Sequence, residues 1–302
     1  MIAVLKKLAK KSLRQVIRVR MNCCGLTLAQ AEWYAEKIKR YPAILNELNY
    51  RRDVNLPLGV RMNVGLIDVI ERSLLTTGHW DPIVESCVQQ LLKPGDTFLD
   101  VGANIGYFSM MASGIVGPNG TVVSFEPSAR ALTRLTSHGC LNQCRNLLIC
   151  SHAVGDSIGR SSLNWAPSSN IGGSTISRGK PATGAVEQIT IRRLDDVCRE
   201  FSLTPGLIKM DIEGFELFAL RGARETLADH GPNVICELTG SFLEDHGQSA
   251  RDLVQFMLDL GYTPFQLSES GSGRLVATPF CLDETPSSQA EVLFSKLSNP
   301  LG

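Results

Sequence analysis

The sequence predicts an α/β protein, a doubly wound and mostly parallel sheet preceded by a helical N-terminal extension. Three observations predict it. Beyond residue 96, β-rich runs alternate with helical runs, the order that lays strands side by side in parallel. The first such run, Phe98-Leu99-Asp100-Val101, passes straight into Gly102-Ala103-Asn104-Ile105-Gly106, a glycine turn of the kind that joins a strand to its helix. With 302 residues and 43% hydrophobic composition, the chain can also bury a full α/β core.

Taken in order, residues 1–77 read as an extension of helices and irregular connections, with a polar, proline-containing break around Arg51 to Pro57. Residues 78–302 form the main domain. Its first helix opens at Gly78-His79-Trp80-Asp81-Pro82, with Asp81 as N-cap and Pro82 at the first helical position, and runs to Leu91-Leu92 before Pro94-Gly95. Strand 97–101, helix 105–115, strand 121–126, helix 128–141 and a strand near 147–154 follow. Between Ser157 and Ile191 the alternation breaks: serines, glycines and asparagine crowd Asn164 to Gly184. A long loop inside a compact domain is usually functional or mobile, so the segment reads either as a flap or hairpin facing a substrate or as a surface excursion. Alternation resumes with helix Leu194–Phe201, strand Leu207–Met210, helix Phe215–Leu227, strand Asn233–Glu237, helix Ser249–Leu260 and strands at 263–268 and 291–296.

The formal charge of zero hides an asymmetry. Residues 1–80 hold 14 Lys/Arg against 6 Asp/Glu, and the remainder 16 against 24. Much of the basicity lies in residues 1–20, where Lys6, Lys7, Lys10, Lys11, Arg14, Arg18 and Arg20 interleave with apolar residues and no acid. That segment admits three readings: a basic amphipathic helix resting on an anionic membrane, an organelle-targeting presequence, or a solvated helix packed on the domain. Charges break every apolar run short of the ~20 residues needed to cross a bilayer. The expected location is the cytoplasm, with peripheral membrane contact through residues 1–20 as an option. The acidic main domain repels phosphates and the basic stretch lacks interleaved aromatics, so a nucleic-acid partner is not expected. Nine cysteines without a paired C-x-x-C read as free thiols in a reducing compartment.

The site residues gather at strand ends. Asp100 stands before the glycine turn of Gly102 and Gly106, and Glu126 ends the next strand. A dinucleotide fold wants G-x-G-x-x-G and a phosphate on the helix N-terminus, but a carboxylate at Asp100 repels phosphate oxygens. It attracts instead the ammonium and sulfonium charges of S-adenosylmethionine, which carries no phosphate. Glu126 is placed to accept from both ribose hydroxyls. Asn104 is placed to bind the methionine carboxylate, or else simply forms the turn. A nicotinamide-dependent oxidoreductase is disfavoured by the same features. Where the fourth strand ends, on the carboxyl edge of the sheet, Lys209-Met210-Asp211-Ile212-Glu213-Gly214-Phe215-Glu216 sets three acids in six residues. Asp211 is the first candidate for a general base or acceptor anchor and Glu213 the next, with Glu216 read as stabilising the N-terminus of its helix. Glu237 ends the fifth strand beside Asp211. That pair can share a proton, orient hydroxyls or hold a divalent cation, though two acids alone make a thin metal site and none is expected. His246, in the loop after the fifth strand, is the alternative base, and His79 a weaker one.

These residues resemble a known family. Phe98 to Ser109 (FLDVGANIGYFS), Phe125-Glu126-Pro127, Ala153-Val154-Gly155-Asp156 and Ile208 to Glu216 (IKMDIEGFE), with Arg221-Gly222-Ala223 after them, are similar to the FkbM family of S-adenosylmethionine-dependent methyltransferases, over approximately Gly78 to Tyr262. The resemblance implies a class I, Rossmann-like methyltransferase fold and methylation of a hydroxyl on a sugar, glycolipid or polyketide-type acceptor. It also implies that Asp156 accepts from the adenine amine. In the family pattern an acid and a proline follow an aromatic near the pocket's roof, and Trp80-Asp81-Pro82 fits with Asp in the usual place of Glu. The alternative is a non-catalytic ligand-binding or scaffold protein that retains the fold.

Overall fold

The computed structural model describes residues 51–177, 185–271, 273–280 and 289–301. The basic segment 1–20, Cys23, Cys24 and Cys281 lie outside the described residues. The chain divides into two compact units, residues 1–80 with 168–170 and residues 81–167 with 171–302.

In the first unit, strand β1 (Arg51–Asn55) pairs antiparallel with β2 (Arg61–Gly65), and helix α1 (Val69–Thr76) follows. The sequence reading placed an irregular break around Arg51 to Pro57; the structure replaces it with a hairpin. Its polar residues pair with one another: the Arg51 guanidinium donates to Asn63 Oδ1 at 2.8 Å and to Glu71 Oε2 at 2.9 Å, and Asn63 donates to Asp53 at 2.7 Å. Pro57 starts the 3-10 turn Pro57–Gly59, where no ladder N–H is required of it. Asp68 caps α1 by accepting from Ile70 N and Glu71 N.

The second unit carries the parallel sheet. β3 (Thr97–Val101), β4 (Thr121–Phe125), β5 (Leu147–Cys150), β10 (Leu207–Met210) and β11 (Asn233–Leu238) run parallel, in the order β5-β4-β3-β10-β11. β14 (Ala290–Ser295) adds antiparallel to β11, then β12 (Thr263–Glu269) and β13 (Leu275–Pro279) follow. Strand order reverses between β3 and β10. Their carboxyl ends therefore open the crevice in which α/β folds bind ligands. Helices α2 (Pro82–Leu91), α3 (Tyr107–Val116), α4 (Ala129–Leu141), α5 (Leu194–Glu200), α6 (Glu216–Arg221), α7 (Arg224–His230), α8 (Gly240–Asp245) and α9 (Ala250–Asp259) complete the layers. The helix starts follow local chemistry: Asp81 caps α2 through Val84 N, and Ser249 forms a capping box with Asp252. Between strands, Leu99, Val101, Ile208, Met210, Val234 and Cys236 are buried in one core with Leu217, Leu220 and Leu253 from the helices.

Two single predicted elements are each divided. The strand expected near 147–154 is β5 and a separate β6 (Ala153–Val154), which pairs with β9 (Val186–Arg192) in a second sheet. The helix expected over Phe215–Leu227 stops at Arg221 and restarts at Arg224. A Cβ on Gly222 would lie 1.9 Å from the Gly155 carbonyl oxygen, so the chain passes close here only because that residue has none. The Asp195 carboxylate then accepts from Glu225 N at 3.1 Å and Thr226 N at 2.8 Å and starts α7.

Short strands flank and enter the serine-rich segment. β7 (Gly159–Asn164) pairs antiparallel with β9 and with β8 (Thr175–Ser177). Leu163, Ile176, Ile189 and Ile191 bury one face of this sheet with Phe215 and Phe218. Residues 178–184 lie outside the described residues. The described cysteines are free thiols, and among the described residues no helix is long and apolar enough to cross a membrane.

Candidate active site

The glycine turn after β3 is shaped by the protein's own backbone. Gly102 has φ +82, and a Cβ there would sit 1.9 Å from the Asp211 carbonyl oxygen. Gly106 has φ +87, and its Cβ would meet Leu135 Cδ1 at 2.3 Å. Both positions require glycine. The turn is thereby pressed against the end of β10, so the residues expected on the cofactor side and those expected on the acceptor side share one crevice.

Asp100 is fully buried. Ser109 Oγ donates to its Oδ2 at 2.5 Å, Ser124 Oγ supports Ser109 at 2.7 Å, and Oδ1 has no hydrogen-bond partner. Burial pushes its proton affinity up, against the pull of Lys209 and the Ser109 bond. Glu126 accepts from Ser128 N at 2.7 Å on one oxygen and from Asn104 N at 2.9 Å on the other. Its pKa is pushed up to about 7, by burial first, with those two amides acting in the opposite direction. Asn104, at φ +49, has a buried Oδ1 with no partner. Asp156 follows β6, its backbone beside Gly222, and accepts from Ser157 Oγ at 3.0 Å.

Across the switch point, the carboxyl edge of β10 and β11 gathers acids. Met210 pairs with Cys236, which sets Asp211 and Glu237 at the same level of adjacent strands. Asp211 receives Lys209 Nζ at 3.2 Å. Glu213, at φ +56, has its pKa pushed up to about 7 by burial and by the charges of Asp211 and Glu216. Glu237 accepts from Thr239 Oγ1 at 2.9 Å and is pushed up to about 9 by burial, then by Asp211 and Glu291. Glu216 is buried and takes Ile212 N at 3.0 Å and Gly214 N at 3.2 Å, folding the Asp211–Gly214 loop rather than only meeting a helix dipole. His246 ends α8 and stands edge-on to the Phe215 ring, 5.5 Å between centroids.

Three residues not singled out as site residues in the sequence belong to this edge. Lys209 is almost fully buried and is the register partner of Asp100. Glu291 on β14 is the register partner of Glu237. Asp81, read as a cap and as the acid of the Trp80-Asp81-Pro82 pattern, feels Lys209, Asp211 and Glu85 as well. A lysine inside a strand flanked by apolar residues was the available signal for the first, because an ammonium is buried only with partners. Nothing local marked Glu291, since an antiparallel strand some 80 residues beyond Asp211 is brought there by topology. Among the described residues no group of three or more His, Cys, Asp or Glu side chains could hold a metal ion.

Residues 100–264 match the model of the methyltransferase FkbM domain, more than half of the chain. The chain belongs to the FkbM methyltransferase family. Among curated proteins, 31-O-demethyl-FK506 methyltransferase FkbM of Streptomyces tacrolimicus is 28% identical, over 44% of this chain and 62% of that one. Among solved structures, an FkbM methyltransferase from Methylobacillus flagellatus is 17% identical with a TM-score of 0.43, covering 86% of this chain and 60% of the other. Aeropyrum pernix fibrillarin with bound S-adenosyl-L-methionine is 14% identical with a TM-score of 0.40, covering 80% and 92%. This chain thus spans about three fifths of the length of its curated FkbM relative and of the Methylobacillus structure.

The matched family model is that of a methyltransferase domain, and this FkbM-family chain carries it on the α/β fold described above. The crevice suits S-adenosylmethionine, the cofactor expected from the sequence. It holds two buried oxygens without partners, on Asp100 and Asn104, and a buried carboxylate, Glu126, each of whose oxygens accepts one backbone N–H and has capacity for another donor.

Proposed function

We propose that the chain is an O-methyltransferase acting on a hydroxyl of a sugar, glycolipid or polyketide-type acceptor. The observation that carries this reading is the contact between the glycine turn and the end of β10: the Asp211 carbonyl lies where a Gly102 side chain would be. A base at Asp211 therefore stands beside the crevice that holds the methyl donor. The name of the Streptomyces relative, 31-O-demethyl-FK506 methyltransferase, supports oxygen as the accepting atom. In this reading residues 78–302 are the methyltransferase domain, residues 1–77 are an extension, and the protein is cytoplasmic.

Each residue then has a task. Asp100 and Asn104 hold the charged methionine end of the cofactor, Glu126 accepts from its ribose hydroxyls, Asp156 accepts from its adenine amine, and Gly102 and Gly106 hold the turn. S-adenosylmethionine supplies an electrophilic methyl carbon on a cationic sulfur. On the acceptor side, Asp211 takes the proton that the hydroxyl oxygen loses. Glu213 and Glu237 orient neighbouring hydroxyls, and both hold protons near neutrality that an acceptor oxygen can use as hydrogen bonds. His246, set against Phe215, is the second candidate for the base. Positioning supplies most of the acceleration, with proton removal adding about 10²–10⁴-fold. The acidity of this edge disfavours phosphate-rich acceptors, so an RNA substrate is not proposed.

The test is methyl transfer from labelled S-adenosylmethionine into a glycolipid extract, a small-metabolite extract and, as a third arm, total RNA. Label in either of the first two supports the proposal, and label confined to RNA overturns it. A scaffold protein binds the cofactor and labels none of the three. Asp211→Asn should lower turnover about 10²-fold while leaving cofactor affinity in place; full turnover would move the base elsewhere, His246→Gln being the next variant to assay.

A further inference from the structure

The buried ammonium of Lys209 lies between the two halves of the crevice. Its backbone is opposite Asp100 on β3, its Nζ donates to Asp211 Oδ2 at 3.2 Å, and it stands 5.2 Å from the Phe108 ring centroid on α3. Only about 6% of the side chain is exposed. Burial alone would expel its charge, yet Asp211 and Asp100, and further off Glu291, hold the proton on more firmly than in water. The charged groups around it are Asp100 from β3, Asp211 from the end of β10, Glu291 from β14, Asp81 from the cap of α2, Glu126 after β4 and Glu213 in the loop before α6. A lone cation inside so many acids is costly to place, and hydrophobic side chains of similar volume would fill the space more cheaply. Its retention in a strand of otherwise apolar residues, Leu207, Ile208 and Met210, asks for a task.

We propose that Lys209 is a positioning residue of the methyl-transfer site, holding the Asp211 carboxylate by Oδ2 so that Oδ1 is presented to the acceptor hydroxyl. Oδ1 has no hydrogen bond among the described residues, and Asp211 is about one-third exposed, so this oxygen is available to a substrate. The ammonium is buried, so it is itself shielded from the acceptor and acts only through the carboxylate. It also sets one positive charge beside Asp100 and Asp211 together, between the two sides of the crevice. This inference rests on the assignment of Asp211 as the base.

The test uses the full chain, labelled S-adenosylmethionine with the extract that accepts label, and calorimetric titration with S-adenosylhomocysteine. Lys209→Met should lower the transfer rate at saturating donor at least about tenfold, because a carboxylate no longer held by Oδ2 loses its line to the acceptor. Affinity for S-adenosylhomocysteine should change less than about threefold, since the nucleoside contacts are made elsewhere. Lys209→Gln, which keeps an N–H donor, should recover part of the rate, and it is read in the same way if Lys209→Met does not fold. An unchanged rate in either variant overturns the inference, and so does a loss of donor affinity as large as the loss of rate. Asp211→Asn separates this from failure of the base assignment: if that variant keeps full turnover the base is wrong, whereas if it is inactive and Lys209→Met is not, only the role of Lys209 is wrong.

Discussion

Glu237 and Glu291 should make the protein lose stability as pH rises, and Glu291→Gln should remove part of that loss. The two are register partners on antiparallel strands, so their side chains leave the same face of the sheet. Burial, then Asp81 and Asp211, push Glu291 up to about 8; burial, then Asp211 and Glu291, push Glu237 up to about 9. The ordinary value is 4.5 for each. The sign follows from linkage: between 4.5 and 8 the folded chain keeps a proton on Glu291 that the unfolded chain has shed, so stability is greatest at the acid end of that window and falls as pH rises through it. Each unit is worth up to about 1.4 kcal/mol per group, giving a ceiling of about 5 kcal/mol for Glu291. Both side chains keep some contact with solvent, so about 2 kcal/mol is expected across pH 5.5 to 8.5. Urea midpoints at those two pH values, for the parent and for Glu291→Gln, measure it. Glu126, Glu213 and Glu216 are raised by burial too and lower the parent midpoint further, but they are common to both proteins. The difference between the two slopes therefore reports Glu291 together with the part of the Glu237 shift that the Glu291 charge causes. Identical slopes, or a variant that loses more than the parent at high pH, would refute the reasoning.

Other predictions follow from single contacts. Gly102→Ala forces a Cβ onto the Asp211 carbonyl at a φ of +82 and should cost about 3 kcal/mol or more, seen as a lower denaturation midpoint together with lost cofactor binding. Asp195→Ala removes the acceptor for Glu225 N and Thr226 N at the start of α7 and should cost about 1–2 kcal/mol without changing cofactor affinity, a combination that equilibrium unfolding and calorimetry resolve. Glu126 must be ionised for both oxygens to accept, and its pKa lies at about 7. Affinity for S-adenosylhomocysteine should therefore rise with pH below 7 by up to about tenfold per unit and level off above; Glu126→Gln should bind more weakly, with a flat profile.

The alternation of apolar strands and amphipathic helices, which is local, was enough to place strands at 97–101, 121–126 and 207–210, the second ending one residue beyond the observed Phe125, and to show that they lie parallel. The motif around Asp100 and Gly102 gave the family for the same reason, because a turn that demands positive φ beside a strand end is written in consecutive residues. The hairpin at Arg51–Gly65 was not legible: its strands are polar, and they hold together through Arg51, Asn63, Asp53 and Glu71, whose pairing exists only once the chain has turned. Nor was the break at Gly222, where helical propensity gives way to the close passage of Gly155 from a distant loop. At the site, sequence order supplied acids at strand ends, but which of them meet depended on strand order. Glu291 reaches Glu237 because β14 runs antiparallel against β11, and Lys209 faces Asp100 because β10 lies against β3. Chain chemistry thus determined which groups the protein owns. Tertiary packing decided which share a low-dielectric space, and so which hold protons and which stay charged.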